Sequence, residues 1–319
     1  MTRLRCAILD DYFKLSLTSA DWSGITDRAE LAVFEKPFKS EGEAASALKD
    51  FEIILAMRER TAFPRSLFAA LPNLKLMITS GMRNAAIDFD AAKDHNVVLC
   101  GTNFARDPTA PLAMGLILEL TRNIGRESAR MHAGEPWQAH LGIEIEGRTL
   151  GVIGLGKLGT KVARLAQAFG MKVIAWSPNL TPEKCREAGV TYVSKEQLFS
   201  TADVLTIHLV LGPRSRGLVG RDDLARMKPT AYIVNTARGP IIDEAALLDV
   251  LQQRKIAGAG IDVFSVEPLP VDHPFRKLDN MVITPHLGYA TEEIFRGHYT
   301  QMVEGVDAWF KGETPRRLA

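Results

Sequence analysis

At 319 residues, with 46% hydrophobic and 24% charged side chains, the chain is long for one compact core, so two domains are expected and a disordered or fibrous class is excluded. The 39 basic and 38 acidic residues leave a net charge of +1, and without a basic stripe a nucleic-acid partner is not expected. No apolar run approaches the ~20 residues that cross a bilayer, and the opening MTRLRCAILDDY turns acidic too early for a secretory leader, so a cytoplasmic protein that does not enter membranes is expected.

Short runs rich in Val, Ile and Leu alternate with segments of helical period, the pattern of parallel strands joined by crossover helices, which predicts an α/β fold. In chain order the expected strands are 6–11, 29–35, 51–57 and 74–80, then 149–155, 171–177, 204–210, 231–237, 258–264 and 280–285. Ten strands exceed the usual count of one sheet and suggest two. Between the two groups, Pro108–Thr121 is apolar almost all round and reads as a buried helix. The polar stretch from Arg126 to Gly147 reads as an extended arm able to leave the domain body. Cys6, Cys100 and Cys185 have neither disulfide-framework nor zinc spacing and are read as small buried side chains.

The strand TLGVIGL runs into Gly154-Leu155-Gly156-Lys157-Leu158-Gly159 and then into a helix stopped by Gly170. In that context GxGxxG gains a physical meaning. Gly154 permits the tight turn, Gly156 lets the backbone approach a pyrophosphate, Gly159 lets helix and strand pack closely, and the helix N-terminus faces the phosphates. Residues 151–157 also satisfy GxxxxGK, but Leu158 stands where a nucleotide triphosphatase needs Ser or Thr. The next strand ends in Trp176-Ser177-Pro178-Asn179, without the carboxylate that holds the ribose 2'-OH of NAD. Ser177 and Asn179 are short polar groups able to accept a 2'-phosphate, with Lys184 and Arg186 just beyond. The expected cofactor is therefore NAD(P)(H), with NADP(H) slightly favoured.

Three later motifs follow in order: NTARGPIIDEAAL (235–247), GIDVFSVEP (260–268) and TPHLGYAT (284–291). With the dinucleotide loop before them, they resemble the D-isomer-specific 2-hydroxyacid dehydrogenases, the family of glyoxylate/hydroxypyruvate reductases and phosphoglycerate dehydrogenases. The resemblance implies a Rossmann-type doubly wound domain, residues 103–285, inserted into a smaller flavodoxin-like substrate domain made of 1–102 and 286–319. It implies Arg238, Glu267 and His286 as the catalytic set. An imidazolium at His286 can supply a proton near neutral pH, Glu267 would orient its ring, and Arg238 offers a planar fork for the substrate carboxylate. Taken singly, each has a plain alternative as a turn, loop or capping residue; three signatures behind one dinucleotide loop argue against all three alternatives at once. Asp262, on an apolar strand, needs a partner. The resemblance makes that partner the nicotinamide carboxamide and places His208, Ala237 and Gly288 near the cofactor as well. His132, His140, His273 and His298 lack metal spacing and are read as surface or structural residues.

For the substrate, the resemblance points to the turn 80–88, where backbone N–H groups at Gly81 and Met82 would bind the carboxylate. Arg83 stands where a second Gly is common. Arg58 and Arg60 follow the strand ending at Met57 and, with Arg83, suggest an extra acidic group on the substrate; pairing with Glu59 and solvent is the equal alternative. The implied reaction is hydride transfer between NAD(P)(H) and a small 2-keto/2-hydroxy acid of glyoxylate/hydroxypyruvate type, with closure about a hinge near residues 102 and 286. The arm around Trp137 would make a homodimer. The alternatives are a 3-phosphoglycerate dehydrogenase-like enzyme and a cofactor-sensing corepressor-like protein.

Overall fold

The computed structural model describes residues 3–103 and 106–319; Met1 and Thr2, which open the segment weighed as a leader, lie outside the described residues, as do Phe104 and Ala105. The chain forms two compact units, residues 1–106 with 290–319, and residues 107–289. The second is thus inserted into the first.

The first unit holds five parallel strands, β1 (Leu4–Ile8), β2 (Ala29–Val33), β3 (Ile53–Ala56), β4 (Leu76–Thr79) and β5 (Val98–Gly101), in the order β2-β1-β3-β4-β5. That is the flavodoxin-like order, with its switch point between β1 and β3. Every residue of β3 and β4 is buried, as expected of strands with helices on both faces. β5 was not among the expected strands. It pairs with β4 on one side and with the chain end on the other, where Leu318 N–H donates to Leu99 O at 2.7 Å.

The second unit has seven parallel strands, β6 (Thr149–Ile153), β7 (Lys172–Trp176), β8 (Thr191–Tyr192), β9 (Val204–Ile207), β10 (Tyr232–Asn235), β11 (Gly258–Ile261) and β12 (Met281–Ile283). Their order, β12-β11-β10-β9-β6-β7-β8, is the doubly wound dinucleotide-binding arrangement, with the switch point between β9 and β6. The unexpected β8 is a two-residue exposed edge strand. The helix Thr109–Arg122 buries Ala113, Leu116, Ile117 and Leu120 among others. It seats against β11 at Gly260, where a Cβ would stand 3.1 Å from Leu120 and 3.3 Å from the Leu116 Cβ. The arm departs from expectation in its first part. Ile124–His132 is a helix with no buried residue, supported by an i,i+3 pair of Glu127 and Arg130, and only the stretch 133–148 lacks helix and strand.

All three cysteines are buried thiols; burial pushes that of Cys6 up to about 12. Among the described residues no helix is long and apolar enough to cross a membrane, and no group of three His, Cys, Asp or Glu is placed to hold a metal ion.

Candidate active site

In the inserted unit, β6 is followed by Gly154, whose φ of +98° favours glycine, and a Cβ there would be 2.8 Å from the His208 carbonyl oxygen on the neighbouring β9 loop. A Cβ at Gly159 would lie 2.0 Å from Gly154 O, so no side chain fits between strand and helix. Gly156 is the opposite case: a Cβ would meet nothing within 4 Å. This open space lies at the N-terminus of the helix Lys157–Ala168, which has no side-chain cap. Uncapped N–H groups beside open space fit a dinucleotide pyrophosphate. Lys157 lies 3.2 Å from Asp107 in an ion pair. At the end of β7, Ser177 is half-buried and Asn179 exposed, and Asn179 Oδ1 lies 3.4 Å from Nη1 of Arg214, a residue that no motif had singled out.

His208 has Nε2 at 2.9 Å from Thr206 Oγ1. Its Nδ1 is buried without a hydrogen-bond partner among the described residues, and desolvation pushes the ring's pKa down to about 4. A neutral ring with an unsatisfied buried nitrogen at the switch point also fits a bound ligand.

After β10, Asn235 folds the chain back on itself. Its Oδ1 accepts from Ala237 N–H at 2.9 Å, and its Nδ2 donates to Arg238 O at 3.0 Å. Arg238 Nη1 in turn donates to Ala237 O at 2.8 Å. The next residue, Gly239, packs on the chain after β11 so closely that a Cβ would stand 2.1 Å from the Phe264 carbonyl carbon. That segment leads to Glu267, whose Oε1 accepts from Phe264 N–H at 2.8 Å. Its Oε2 lies 2.6 Å from His286 Nδ1. Burial pushes the Glu267 carboxyl up, but the hydrogen bond to His286, the charge of that ring, the Phe264 N–H and the field of Arg238 outweigh it and hold the group below the usual carboxylate range.

His286 sits in the left-handed region, at φ +54°, uncommon outside glycine. The strain is held from below. Its N–H donates to Asp262 O at 2.9 Å, while the Asp262 side chain, 0% exposed, accepts from Thr284 Oγ1 at 2.5 Å, Leu287 N at 2.7 Å and Gly288 N at 2.8 Å. Asp262 therefore finds three partners within the chain and fastens the loop that carries His286. Desolvation dominates its titration and raises the carboxyl above its ordinary value despite those bonds. The Tyr289 ring meets His286 edge-on, with centroids 5.6 Å apart.

The residues singled out for the substrate carboxylate lie at the strand ends of the first unit. Gly81 has φ +91°, but its N–H is already given to Thr102 Oγ1 at 2.8 Å. In the same turn the backbone N–H groups of Met82, Arg83, Asn84 and Ala85 have no hydrogen bond among the described residues. Thr102 Oγ1 also lies 2.6 Å from Nδ1 of the buried His298. The hydroxyl thus joins the Gly81 N–H to the His298 ring. Arg58 reaches toward the turn, its Nη1 only 3.2 Å from where a Gly81 Cβ would be, and its N–H donates to Ser80 Oγ at 2.7 Å. Arg60 turns to β1 instead, donating to Asp10 O at 2.6 Å and stacking over Tyr12 at 4.3 Å. No sequence signal ties Thr102 to His298 across 196 positions, or Asn179 to Arg214.

Residues 114–288 match the family model of the D-isomer-specific 2-hydroxyacid dehydrogenase NAD-binding domain. The chain is 38% identical over 275 residues to the D-3-phosphoglycerate dehydrogenase of Methanocaldococcus jannaschii, covering 85% of this chain and 52% of that one, so it spans about half the length of that relative. It is 30% identical over 323 residues to the hydroxypyruvate reductase of Blautia hydrogenotrophica, covering 97% of this chain and 98% of that one. Among solved structures, a phosphoglycerate oxidoreductase from Vibrio cholerae superposes with a TM-score of 0.91 at 32% identity, covering 97% of this chain and 99% of the other. The chain belongs to the D-isomer-specific 2-hydroxyacid dehydrogenase family.

Proposed function

We propose that this protein is an NAD(P)-dependent oxidoreductase that interconverts a small 2-keto acid and the D-2-hydroxy acid, of glyoxylate/hydroxypyruvate type. The observation that carries the reading is the 2.6 Å contact of His286 Nδ1 with Glu267, in the unit that also presents the Gly154–Gly159 loop. A carboxylate at Nδ1 fixes the tautomer and turns Nε2 toward the substrate as the proton donor. Arg238, held in an extended turn by Asn235, binds the substrate carboxylate and polarises the keto oxygen. Bound NAD(P)H supplies the hydride. The loop 154–159 would hold the pyrophosphate, Ser177 and Asn179 the adenosine ribose, and His208, Ala237, Asp262 and Gly288 the nicotinamide end. Absence of a carboxylate at the end of β7 favours NADP(H). In the first unit, Arg58, Gly81, Met82 and Arg83 are our candidate substrate-binding residues. The engagement of Arg60 with Asp10 O and Tyr12 favours a small monocarboxylate over a phosphorylated acid.

We further read the protein as cytoplasmic, which its buried thiols support, and as a homodimer joined through the arm. Trp137 is 74% and Leu141 95% exposed there, and sedimentation of Trp137→Ala tests that contact. The reaction is tested by following NADPH and NADH oxidation at 340 nm with glyoxylate, hydroxypyruvate, pyruvate and a dicarboxylic keto acid. Turnover abolished in His286→Ala supports the mechanism. Binding of both cofactors without turnover of any keto acid refutes it and favours a cofactor-sensing role.

A further inference from the structure

We infer that Arg214, on the loop after β9, is the residue that selects NADP(H) by receiving its 2'-phosphate. The inference rests on the dinucleotide-binding reading given above. In the sheet order, β6 lies between β9 and β7, so the 3.4 Å approach of Arg214 Nη1 to Asn179 Oδ1 spans the end of the strand that carries the phosphate loop. The two side chains stand on either side of the place where an adenosine ribose meets the end of the second strand of a dinucleotide fold. At that strand end a 2'-OH finds no carboxylate, only Ser177 and Asn179.

Nearby cations differ in what they have left to offer. Arg186 is already paired with Glu183 at 3.0 Å. Arg214 is exposed and has no carboxylate within ion-pair distance among the described residues. Its loop is nevertheless tied down: the buried Ser215 Oγ donates to Val210 O at 2.7 Å and accepts from Gly212 N–H at 2.8 Å. A permanently charged planar fork on a fastened loop loses little entropy when it takes two oxygens of a phosphate. Asn179 would exchange its contact with the guanidinium for one from its amide N–H₂ to the same phosphate.

The test compares ligands that differ only in the 2'-phosphate. Calorimetric titration of the full chain with NADPH and NADH, and with adenosine 2',5'-bisphosphate and 5'-AMP, reads affinity without turnover. Wild type is expected to bind each 2'-phosphorylated ligand at least tenfold tighter than its partner. Loss of a charge-assisted phosphate contact in Arg214→Ala is expected to weaken the 2'-phosphorylated pair by about 10- to 100-fold, with the loss confined to those ligands. Asn179→Asp, which places a carboxylate at the strand end, is expected to reverse the preference. Equal binding of both cofactors by wild type, or an equal loss for both in Arg214→Ala, overturns the assignment while leaving the oxidoreductase reading in place. Failure of all four ligands to bind removes both.

Discussion

Replacing His298 by Gln is expected to flatten the acid side of the stability profile of the first unit. Burial, with help from the charge of Arg58, pushes the His298 pKa down from 6.5 to about 4. The ring is buried in the fold with its Nδ1 2.6 Å from the Thr102 hydroxyl, so an added charge there is poorly solvated. The unfolded chain takes up that proton first as pH falls. The stabilisation is therefore complete above pH 6.5 and is lost as pH falls toward 4. The full shift is equivalent to about 3 kcal/mol, of which about 2 kcal/mol is lost between pH 7 and pH 4.5. Gln can accept the Thr102 proton through Oε1 and does not titrate. Urea unfolding at a series of pH values, read by fluorescence of Trp22, which is buried in the same unit beside Tyr299, gives the two profiles. Comparison with the variant is needed because Asp10, raised by burial, acts in the opposite sense, its contribution being lost as pH rises. Wild type and His298→Gln losing stability in parallel from pH 7 to 4.5 would refute the reasoning.

Gly159→Ala drives a Cβ to 2.0 Å from Gly154 O, a backbone atom that can yield only if the loop moves. Dinucleotide affinity should fall by more than about tenfold, and an unchanged fluorescence titration would show that the loop does not carry the pyrophosphate. Glu267→Gln keeps the size of the side chain but removes the charge facing His286; kcat should fall by about 100-fold or more with a smaller change in KM, and an unaltered kcat would deny the couple its catalytic role. Thr102→Val leaves both Gly81 N–H and His298 Nδ1 without their shared partner, which should cost about 2 to 4 kcal/mol in urea unfolding. A loss under about 0.5 kcal/mol would place water in the role assigned to the hydroxyl.

Much of the inserted unit was legible because its chemistry is local in sequence. The turn at Gly154 and the tight approach at Gly159 both lie within six residues of chain, and the backbone geometry that demands glycine is imposed by the strand and helix on either side. The apolar runs of the α/β alternation were legible for the same reason: burial on both faces forces Val, Ile and Leu into each central strand. Arg238, Glu267 and His286 were recognisable as types in motifs, and the family resemblance implied that they act together, but the geometry of their meeting was not legible. The 2.6 Å contact of His286 with Glu267 depends on parallel pairing of β11 with β12, and the left-handed backbone of His286 depends on a buried carboxylate 24 positions earlier. Some features had no local signal at all. β5 is fixed by pairing with β4 and with the segment that ends at Ala319, the Gly81 N–H is taken by a Thr that follows β5, and Arg214 meets Asn179 only because β9 and β7 flank β6. A local pattern records what a segment must bury or how it must turn, whereas these contacts are set by strand order, which appears only when the sheet is assembled.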